Sequence, residues 1–201
     1  MTPSEKQSKI VECKFSKNLV MLAPVRFKGY TAVSEAAVDA TVDVVPLSWA
    51  RDANIVVGQS HFIKTVEDIA EIMATTVPGA RFGLAFNEAS GPCLVRTEGN
   101  DPALIEDARR CALATGAGHS FYLVLGPGCY PINVLDRIKS CQEVCRIFCA
   151  TANPLQILVV RTGQGAGIVG VVDGFSPKGV EDDDGRNDRK AMLRRFGYKF
   201  A

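Results

Sequence analysis

The chain has 201 residues and a mass of 21.6 kDa, which is enough for one domain with a substantial buried core. Its hydrophobic content of 47% and charged content of 22% exclude a disordered chain, a collagen-like repeat and a coiled coil. The 23 Lys and Arg residues nearly balance the 22 Asp and Glu residues, so no global field attracts nucleic acid or anionic lipid. Any anion site must therefore be local.

Residues 1–38 form an expected N-terminal extension, because no hydrophobic period persists in them, and a single domain is expected over residues 39–201. The extension has no secretory pattern, and the apolar runs of the chain are too short to cross a bilayer. The seven cysteines are odd in number and form no compact framework. Reduced thiols and a cytoplasmic location are therefore expected.

Strand and helix signals alternate from Ala40 onward. Predicted strands cover 41–45, 54–57, 81–86, 93–98, 121–125, 144–150, 155–160 and 168–172. Helices are predicted to start at Thr65, Asp101, Ile132 and Asp188. Thr65 forms a capping box with Asp68, and Asp101 is an N-cap followed by Pro102 at the first helical position. Helices lie between the strands but two hairpins break the alternation, so the pattern predicts an α+β domain whose mixed sheet is covered by helices.

The segment Gly58–Thr65 lies between a predicted strand and a predicted helix start. Backbone N–H groups at a helix start favour an anion, and Ser60, Lys64 and Thr65 could add donors to a phosphate. It is not a Walker A loop, because the second glycine before the lysine is absent. A plain polar connection with a capping threonine is an equal alternative. His61 favours the functional interpretation, because packing explains a loop histidine beside a lysine poorly.

The segment Gly116–Ser120 leads from a helix end into a strand, and its glycines allow a tight turn or a close approach to a ligand. His119 could equally be a half-buried packing residue. However, the chain has two histidines, and each has a serine neighbour. An imidazole titrates near neutral pH, so either histidine could accept a proton or attack phosphorus.

Three further segments allow a functional and a structural interpretation. Asn87–Gly91 offers an amide, a carboxylate and a hydroxyl, but a hairpin loop of turn formers explains it as well. Gly163–Gly167 lies between two strands, which favours a hairpin tip that closes over a ligand rather than a dinucleotide loop. The acidic run Glu181–Asp184 predicts a solvated loop, with a weak Mg²⁺ site as the less favoured alternative.

Cys141, Cys145 and Cys149 are four residues apart, a spacing that could suggest a metal site. In a strand this spacing separates Cys145 from Cys149 by roughly 13 Å, and no histidine lies near them in sequence. We therefore predict structural, buried thiols and no metal ligand among the site residues.

Taken together, the motifs resemble the adenosine-specific kinase family. The resemblance covers about residues 40–201 and is carried by six blocks: 58–68 (GQSHFIKTVED), 82–91 (FGLAFNEASG), 116–121 (GAGHSF), 144–154 (VCRIFCATANP), 171–174 (VVDG) and 196–199 (FGYK). It implies a three-layer αβα sandwich with a mixed sheet, a homo-oligomer with a trimer as one option, and recognition of adenosine or AMP. Neither a nucleic acid nor a membrane is an expected partner.

The matching motif positions, together with the chemistry above, define the candidate site residues. His61, Lys64 and His119 are the catalytic candidates. The nucleotide-binding candidates are Gly58, Gln59, Ser60, Thr65, Glu88, Ser90, Gly91, Gly118, Ser120 and Asn153.

Three function hypotheses remain open at this point. The first is phosphoryl transfer involving adenosine: Lys64 holds phosphate, His61 is the base or a transient phosphoryl carrier, and His119 is the second candidate. Mg²⁺ with a nucleoside triphosphate would serve it, held by Glu88, Asp173 or the acidic run, and no tightly bound cofactor is expected. The second is an adenosine or AMP sensor without turnover, in which Glu88 or Asn153 reads the base. The third, a thiol or metal protein, rests on the cysteines alone.

Overall fold

The computed structural model describes residues 39–200, which contain eight strands and four helices. The strands are β1 (Ala40–Leu47), β2 (Asn54–Ser60), β3 (Phe82–Asn87), β4 (Val95–Gly99), β5 (Ser120–Leu125), β6 (Val144–Thr151), β7 (Leu155–Thr162) and β8 (Ala166–Asp173). The helices are α1 (Thr65–Thr76), α2 (Pro102–Thr115), α3 (Pro131–Lys139) and α4 (Asp183–Arg195). The predicted N-terminal extension lies outside the described residues, so the proposed domain boundary stays a prediction.

The predicted α+β single domain is confirmed, but its strands differ from the expected single mixed sheet. They divide into a five-stranded sheet with the order β4-β3-β5-β2-β6 and a three-stranded sheet with the order β1-β7-β8. Every pairing between these strands is antiparallel. The short turn between β7 and β8 enforces this direction, because a parallel neighbour needs a long crossover.

The five-stranded sheet is the middle of three layers and buries both of its faces. All six residues of its central strand β5 are buried. One face packs against α1 and α3 through a cluster that includes Ile69, Val134 and Leu123. The other face packs against α2 and the three-stranded sheet through a cluster that includes Tyr122, Ala108 and Ile157. This double burial explains why β5 is apolar without alternation.

Helix α2 lies directly against β3 because position 83 has no side chain. A Cβ atom at Gly83 would lie 2.1 Å from the Leu104 carbonyl carbon, which is too close for any side chain to be accommodated. The predicted ends of this helix are confirmed. The Asp101 carboxylate accepts from the backbone N–H groups of Ala103 (3.0 Å) and Leu104 (3.3 Å), and Gly116 ends the helix with φ of +63°.

Two helix starts differ from the prediction. Thr65 is the first helical residue of α1 rather than its cap, because its hydroxyl donates backward to the Phe62 carbonyl (2.5 Å). Helix α4 begins five residues before the predicted Asp188, inside the expected acidic loop. Asp182 caps it by accepting from the Gly185 N–H (2.8 Å), and carboxylates in a first turn are favourable near the positive end of the helix dipole.

The cysteines that the structure describes are all free thiols, but they are not all buried. Cys149 is buried as predicted, whereas Cys141 is half-buried and Cys145 is exposed on β6. Among residues 39–200, no helix has both the length and the apolar character that a membrane crossing requires.

Candidate functional site

Three of the predicted loops lie at one edge of the five-stranded sheet. Strand β2 ends at Ser60, β3 ends at Asn87 and β5 begins at Ser120, and these three strands are neighbours. Two backbone hydrogen bonds join the loops at this edge: Ser60 N–H donates to the His119 carbonyl (2.9 Å), and His119 N–H donates to the Asn87 carbonyl (2.7 Å). Antiparallel pairing therefore brings together segments that are up to 60 residues apart in sequence.

A cavity of about 700 Å³ opens on the α2 side of this edge. Its walls are the β3–β4 loop, the C-terminal end of α2 with Gly116 and Gly118, and the β7–β8 hairpin with Gly165 and Gly167. The glycine-rich hairpin tip therefore lies at the cavity, and its closing over a ligand stays a prediction. The volume lies in the range of roughly 300–1,000 Å³ typical of small-molecule sites.

Asn87 is a polar residue in the wall of the cavity that the candidate residues did not include. Its side-chain nitrogen faces three acceptors, the carbonyls of Ala112 (3.0 Å) and Ala117 (3.1 Å) and the hydroxyl of Ser120 (3.1 Å). Within the described residues, no hydrogen bond reaches its Oδ1 atom. The amide is therefore fixed in one orientation, with Oδ1 left as an acceptor.

Glu88 is the one charged side chain among the described residues that line the cavity. Its Oε2 atom accepts from the Leu94 N–H (3.2 Å) and the Arg96 guanidinium (2.9 Å), and these bonds hold the pKa of Glu88 below its ordinary value. In residues 39–200 its Oε1 atom has no hydrogen-bond partner. An ionised carboxylate with one free oxygen is an acceptor for hydroxyl or amino groups.

His119 lies one residue beyond the cavity wall, in a strained conformation. Its φ of +60° is unusual for a residue with a side chain, and its half-buried ring stacks on Phe86 with centroids 5.9 Å apart. His61 lies across the β2–β5 pair and is exposed, with its backbone N–H donating to the Glu143 carbonyl (3.2 Å). Both histidines are therefore at the same sheet edge.

Lys64 is not a free cation at this edge. Its ammonium group forms ion pairs with Asp68 and with Glu143 (2.9 Å), which raise the pKa of Lys64 above its ordinary value. Hydrogen bonding from Asp68, followed by that from Lys64, lowers the pKa of Glu143 to about 2, while burial raises the pKa of Asp68. The sequence prediction of a phosphate-holding lysine did not anticipate these two carboxylates.

The same carboxylates, with the Cys141 thiol, are close enough to hold a metal ion, and a second cavity of about 410 Å³ lies beside them. The Glu143 carboxylate is already occupied, because Oε1 binds Lys64 and Oε2 accepts from the Cys141 thiol (3.2 Å). A cation would have to displace the Lys64 ammonium. The donor set therefore fits an ion-pair cluster better than a metal site.

Other candidates at the sheet edge are placed around the cavity or in the sheet. Ser90, Gly91 and Gly118 are exposed, Gln59 is half-buried, and Ser120 is buried with its hydroxyl donating to the Ala117 carbonyl (2.6 Å). Ser60 is buried, and its hydroxyl has no partner within the described residues. Gly58 accommodates the Phe121 ring, because a Cβ atom there would lie 2.3 Å from Phe121 Cζ.

Asn153 is the candidate that the structure separates from the rest. It follows β6, whose last residue Thr151 pairs with Ile55 at the beginning of β2, whereas Ser60 is at the end of β2. Five strand residues at ~3.3 Å each separate these two ends by about 17 Å. The Asn153 side chain instead donates to Asp173 (3.1 Å).

The fold and the cavity define the class: an α+β protein in which a cavity of small-molecule size is lined by a fixed amide and an ionised carboxylate. The family model described as adenosine-specific kinase matches residues 45–199, and the chain belongs to this family. A solved structure, the PH1918 protein from Pyrococcus horikoshii OT3, is similar with a TM-score of 0.77 and 38% sequence identity, over 81% of this chain and 99% of that chain. A comparison with curated proteins found no match.

Proposed function

We propose that the protein binds adenosine or AMP in the 700 Å³ cavity and transfers a phosphoryl group from a donor such as a nucleoside triphosphate to adenosine, which gives AMP. The observation that carries the proposal is the convergence of the family's motif segments on this cavity: the loop after β3 and the loop before β5 form its walls. The family description supplies adenosine as the nucleoside. The cavity size supports one nucleoside as its occupant.

The two free acceptors divide the recognition of adenosine. The Oδ1 atom of Asn87 is held in place by the bonds to its amide nitrogen, so it suits a donor such as the exocyclic amino group of adenine. The Oε1 atom of Glu88 suits the ribose hydroxyl groups, because an ionised carboxylate is acceptor-only. The walls contributed by Leu113 and Ile168 offer apolar surface to the base.

Phosphoryl transfer needs a group that handles the proton or carries the phosphoryl group. His119 is the first candidate for this role because it follows Gly118 of the cavity wall, although its ring stacks on Phe86, a side chain of the cluster on the α1 and α3 face of the sheet. His61 at the same edge is the second candidate. Lys64 fits a positioning role, since its ion pairs fix the start of α1 next to His61. Any Mg²⁺ that arrives with a nucleoside triphosphate would meet one free carboxylate oxygen in the cavity, on Glu88.

A sensor without turnover is the second candidate function. One observation favours it: within the described residues, the lining of the 700 Å³ cavity has no Lys or Arg to hold the phosphates of a donor, which a kinase must place beside the nucleoside. Both functions share the adenosine site and differ only in chemistry.

The test is a chromatographic assay of the purified protein with adenosine, ATP and Mg²⁺, run beside calorimetric titrations of adenosine and AMP. AMP and ADP that appear together establish the kinase. His119→Gly should abolish this turnover while preserving the fold, because glycine adopts the positive φ without strain. His61→Ala is the parallel variant. Binding without any product supports the sensor, and the absence of both binding and product contradicts the proposal.

A further inference from the structure

The C-terminal segment after β8, residues 174–200, is largely exposed, and we call it the arm. Within residues 39–200, no residue of its helix α4 is buried. Its apolar side chains are exposed as well: Phe175 by 87%, Val180 by 98% and Phe200 by 92%. The family model extends to residue 199, so the arm is part of the domain that the family shares.

The arm is nevertheless an ordered structure. Asp182 caps α4, and Gly197, with φ of +76°, ends it so that the Tyr198 N–H donates to the Leu193 carbonyl (3.0 Å). Phe196 and Tyr198 pack edge to face with ring centroids 6.2 Å apart. An isolated helix of 13 residues is marginal in water, and its aromatic neighbours gain nothing from exposure. The arm therefore needs a partner surface.

The charge of the arm indicates which surface it contacts. The distal part of the arm, residues 190–199, carries four Lys or Arg and no acidic residue, while residues 39–173 carry 14 acidic and ten basic residues. The ion pairs of the arm, Arg186 with Asp183 and Arg189 with Glu181, use none of the four distal cations. Residues 1–38 carry six Lys or Arg and three Glu, an excess of the same sign as the arm. The acidic domain of a second copy is thus the complementary surface.

The rim of the 700 Å³ cavity is the receiving surface that the arm fits. Three rim residues from different elements are exposed and apolar: Leu94, Leu113 and Val169. They match the aromatic side chains of the arm. The described lining also contains no Lys or Arg, although a phosphoryl group needs cationic partners. Covering the rim with the arm would supply both the apolar contact and the missing cations.

We propose that the arm of one copy packs over the cavity rim of a second copy, where Arg194 and Arg195 bind the phosphate of the nucleotide. The proposal rests on the proposed function for its ligand, but the interface itself can be tested separately. Adenosine depends on the cavity of one copy, whereas AMP depends in addition on the arm of the other.

The first experiment is sedimentation velocity of the full chain, with the double variant R194E/R195E and the control R51E/K139E, which reverses two charges outside the arm. Wild type and control should sediment as oligomers, and R194E/R195E should shift to the monomer. The distal cations act through charge, so the shift should also occur in wild type at 1 M salt. A monomeric wild type, or an oligomer that R194E/R195E leaves intact, overturns the interface. Retention of a monomeric wild type on heparin would then assign the arm to nucleic acid.

The second experiment is complementation between copies. R194E/R195E should bind AMP at least tenfold more weakly than wild type and lose less affinity for adenosine. Gly118→Val, which adds a branched side chain to the cavity wall, should bind neither. A mixture of the two variants should recover part of the AMP sites, because an intact arm then covers an intact cavity. No recovery in a mixture that forms oligomers overturns the role of the arm at the site.

The two proposals fail in different ways. If the wild type forms arm-dependent oligomers but binds neither adenosine nor AMP, the proposed function fails and only the interface stands. If the wild type binds AMP as a monomer, the proposed ligand stands and the arm proposal fails.

Discussion

Glu88 and Glu143 are carboxylates at the same edge of the five-stranded sheet, and each is held by a cationic side chain. Glu88 uses only Oε2 for Arg96 and Leu94, so Oε1 remains open beside the larger cavity. Glu143 uses both oxygens, for Lys64 and Cys141. The two ion pairs therefore differ in what they can do. The Glu88–Arg96 pair leaves an oxygen that can accept a hydrogen bond from a ligand, whereas the Glu143–Lys64 pair is fully used in contacts within the protein and stabilises the fold.

A larger side chain in the cavity wall gives the largest expected effect on binding. Gly118→Val should lower the affinity for adenosine more than 100-fold, about 2.7 kcal/mol, because the new side chain occupies the cavity wall. Calorimetric titration measures this loss. A Cβ atom at position 118 lies 2.9 Å from Ala89 Cβ, so the loop must yield slightly and the melting temperature should fall by only a few degrees. Unchanged adenosine binding would place the site elsewhere.

Removing the charge on Glu88 should have the next largest effect. Glu88→Gln should weaken adenosine binding about tenfold or more, because a hydrogen bond to a charged acceptor contributes about 1.5–3 kcal/mol. Its matched control is Glu106→Gln, another carboxylate paired with an arginine but outside the cavity wall. Equal affinities of the two variants would show that Glu88 does not contact the ligand.

The corresponding change at Glu143 should affect stability and not binding. Glu143→Gln should lower the free energy of unfolding by about 1–2 kcal/mol, because the Lys64 ammonium group loses a buried, oppositely charged partner. Adenosine affinity should stay within a factor of two. Chemical denaturation and calorimetry on the same preparation separate the effect on stability from the effect on binding. A large loss of adenosine affinity would indicate that the Lys64 cluster belongs to the binding site.

The pH dependence of the free energy of unfolding tests the role of Glu143 in the same comparison. The pKa of Glu143 is lowered to about 2 in the folded protein, against an ordinary value of 4.5, so its ionised form stabilises the fold. This contribution is complete above about pH 4.5 and disappears as the pH falls toward 2. Burial raises the pKa of Asp68, which acts in the opposite direction in wild type and in the Glu143 variant alike. Denaturation curves between these limits should therefore fall less steeply with pH for Glu143→Gln than for wild type. Parallel curves would contradict the assigned pKa.

The smallest effect is expected at the helix starts. Asp101→Ala should lower the free energy of unfolding by about 1 kcal/mol, because two N–H groups of α2 lose their acceptor. Thr65→Ser keeps the hydroxyl that donates to Phe62 but removes a fully buried methyl group, so we expect a similar loss from packing alone. A loss at Asp101→Ala well below 1 kcal/mol would mean that the cap contributes little to the stability of α2.

The sequence by itself determined the helices and strands and predicted the candidate site segments. Period-two and period-3.6 patterns are local properties, so every predicted strand and helix is present, with the Asp101 cap and the Gly116 end in place. The family motifs likewise identified the loops around Glu88 and His119. The start of α4 was missed because an acidic run suits a solvated loop and a helix N-terminus equally well.

Only the tertiary structure decided which strands pair and which side chains meet. Antiparallel pairing in two sheets placed Asn153 at the opposite end of β2 from Ser60, although both residues belong to motifs of the same family. The carboxylates that neutralise Lys64 come from α1 and from the residue before β6, and nothing in the local pattern signals their convergence. The free Oδ1 of Asn87 likewise exists because three distant acceptors fix its amide nitrogen. Contacts over long sequence separations create the candidate site, and a local sequence pattern does not encode them.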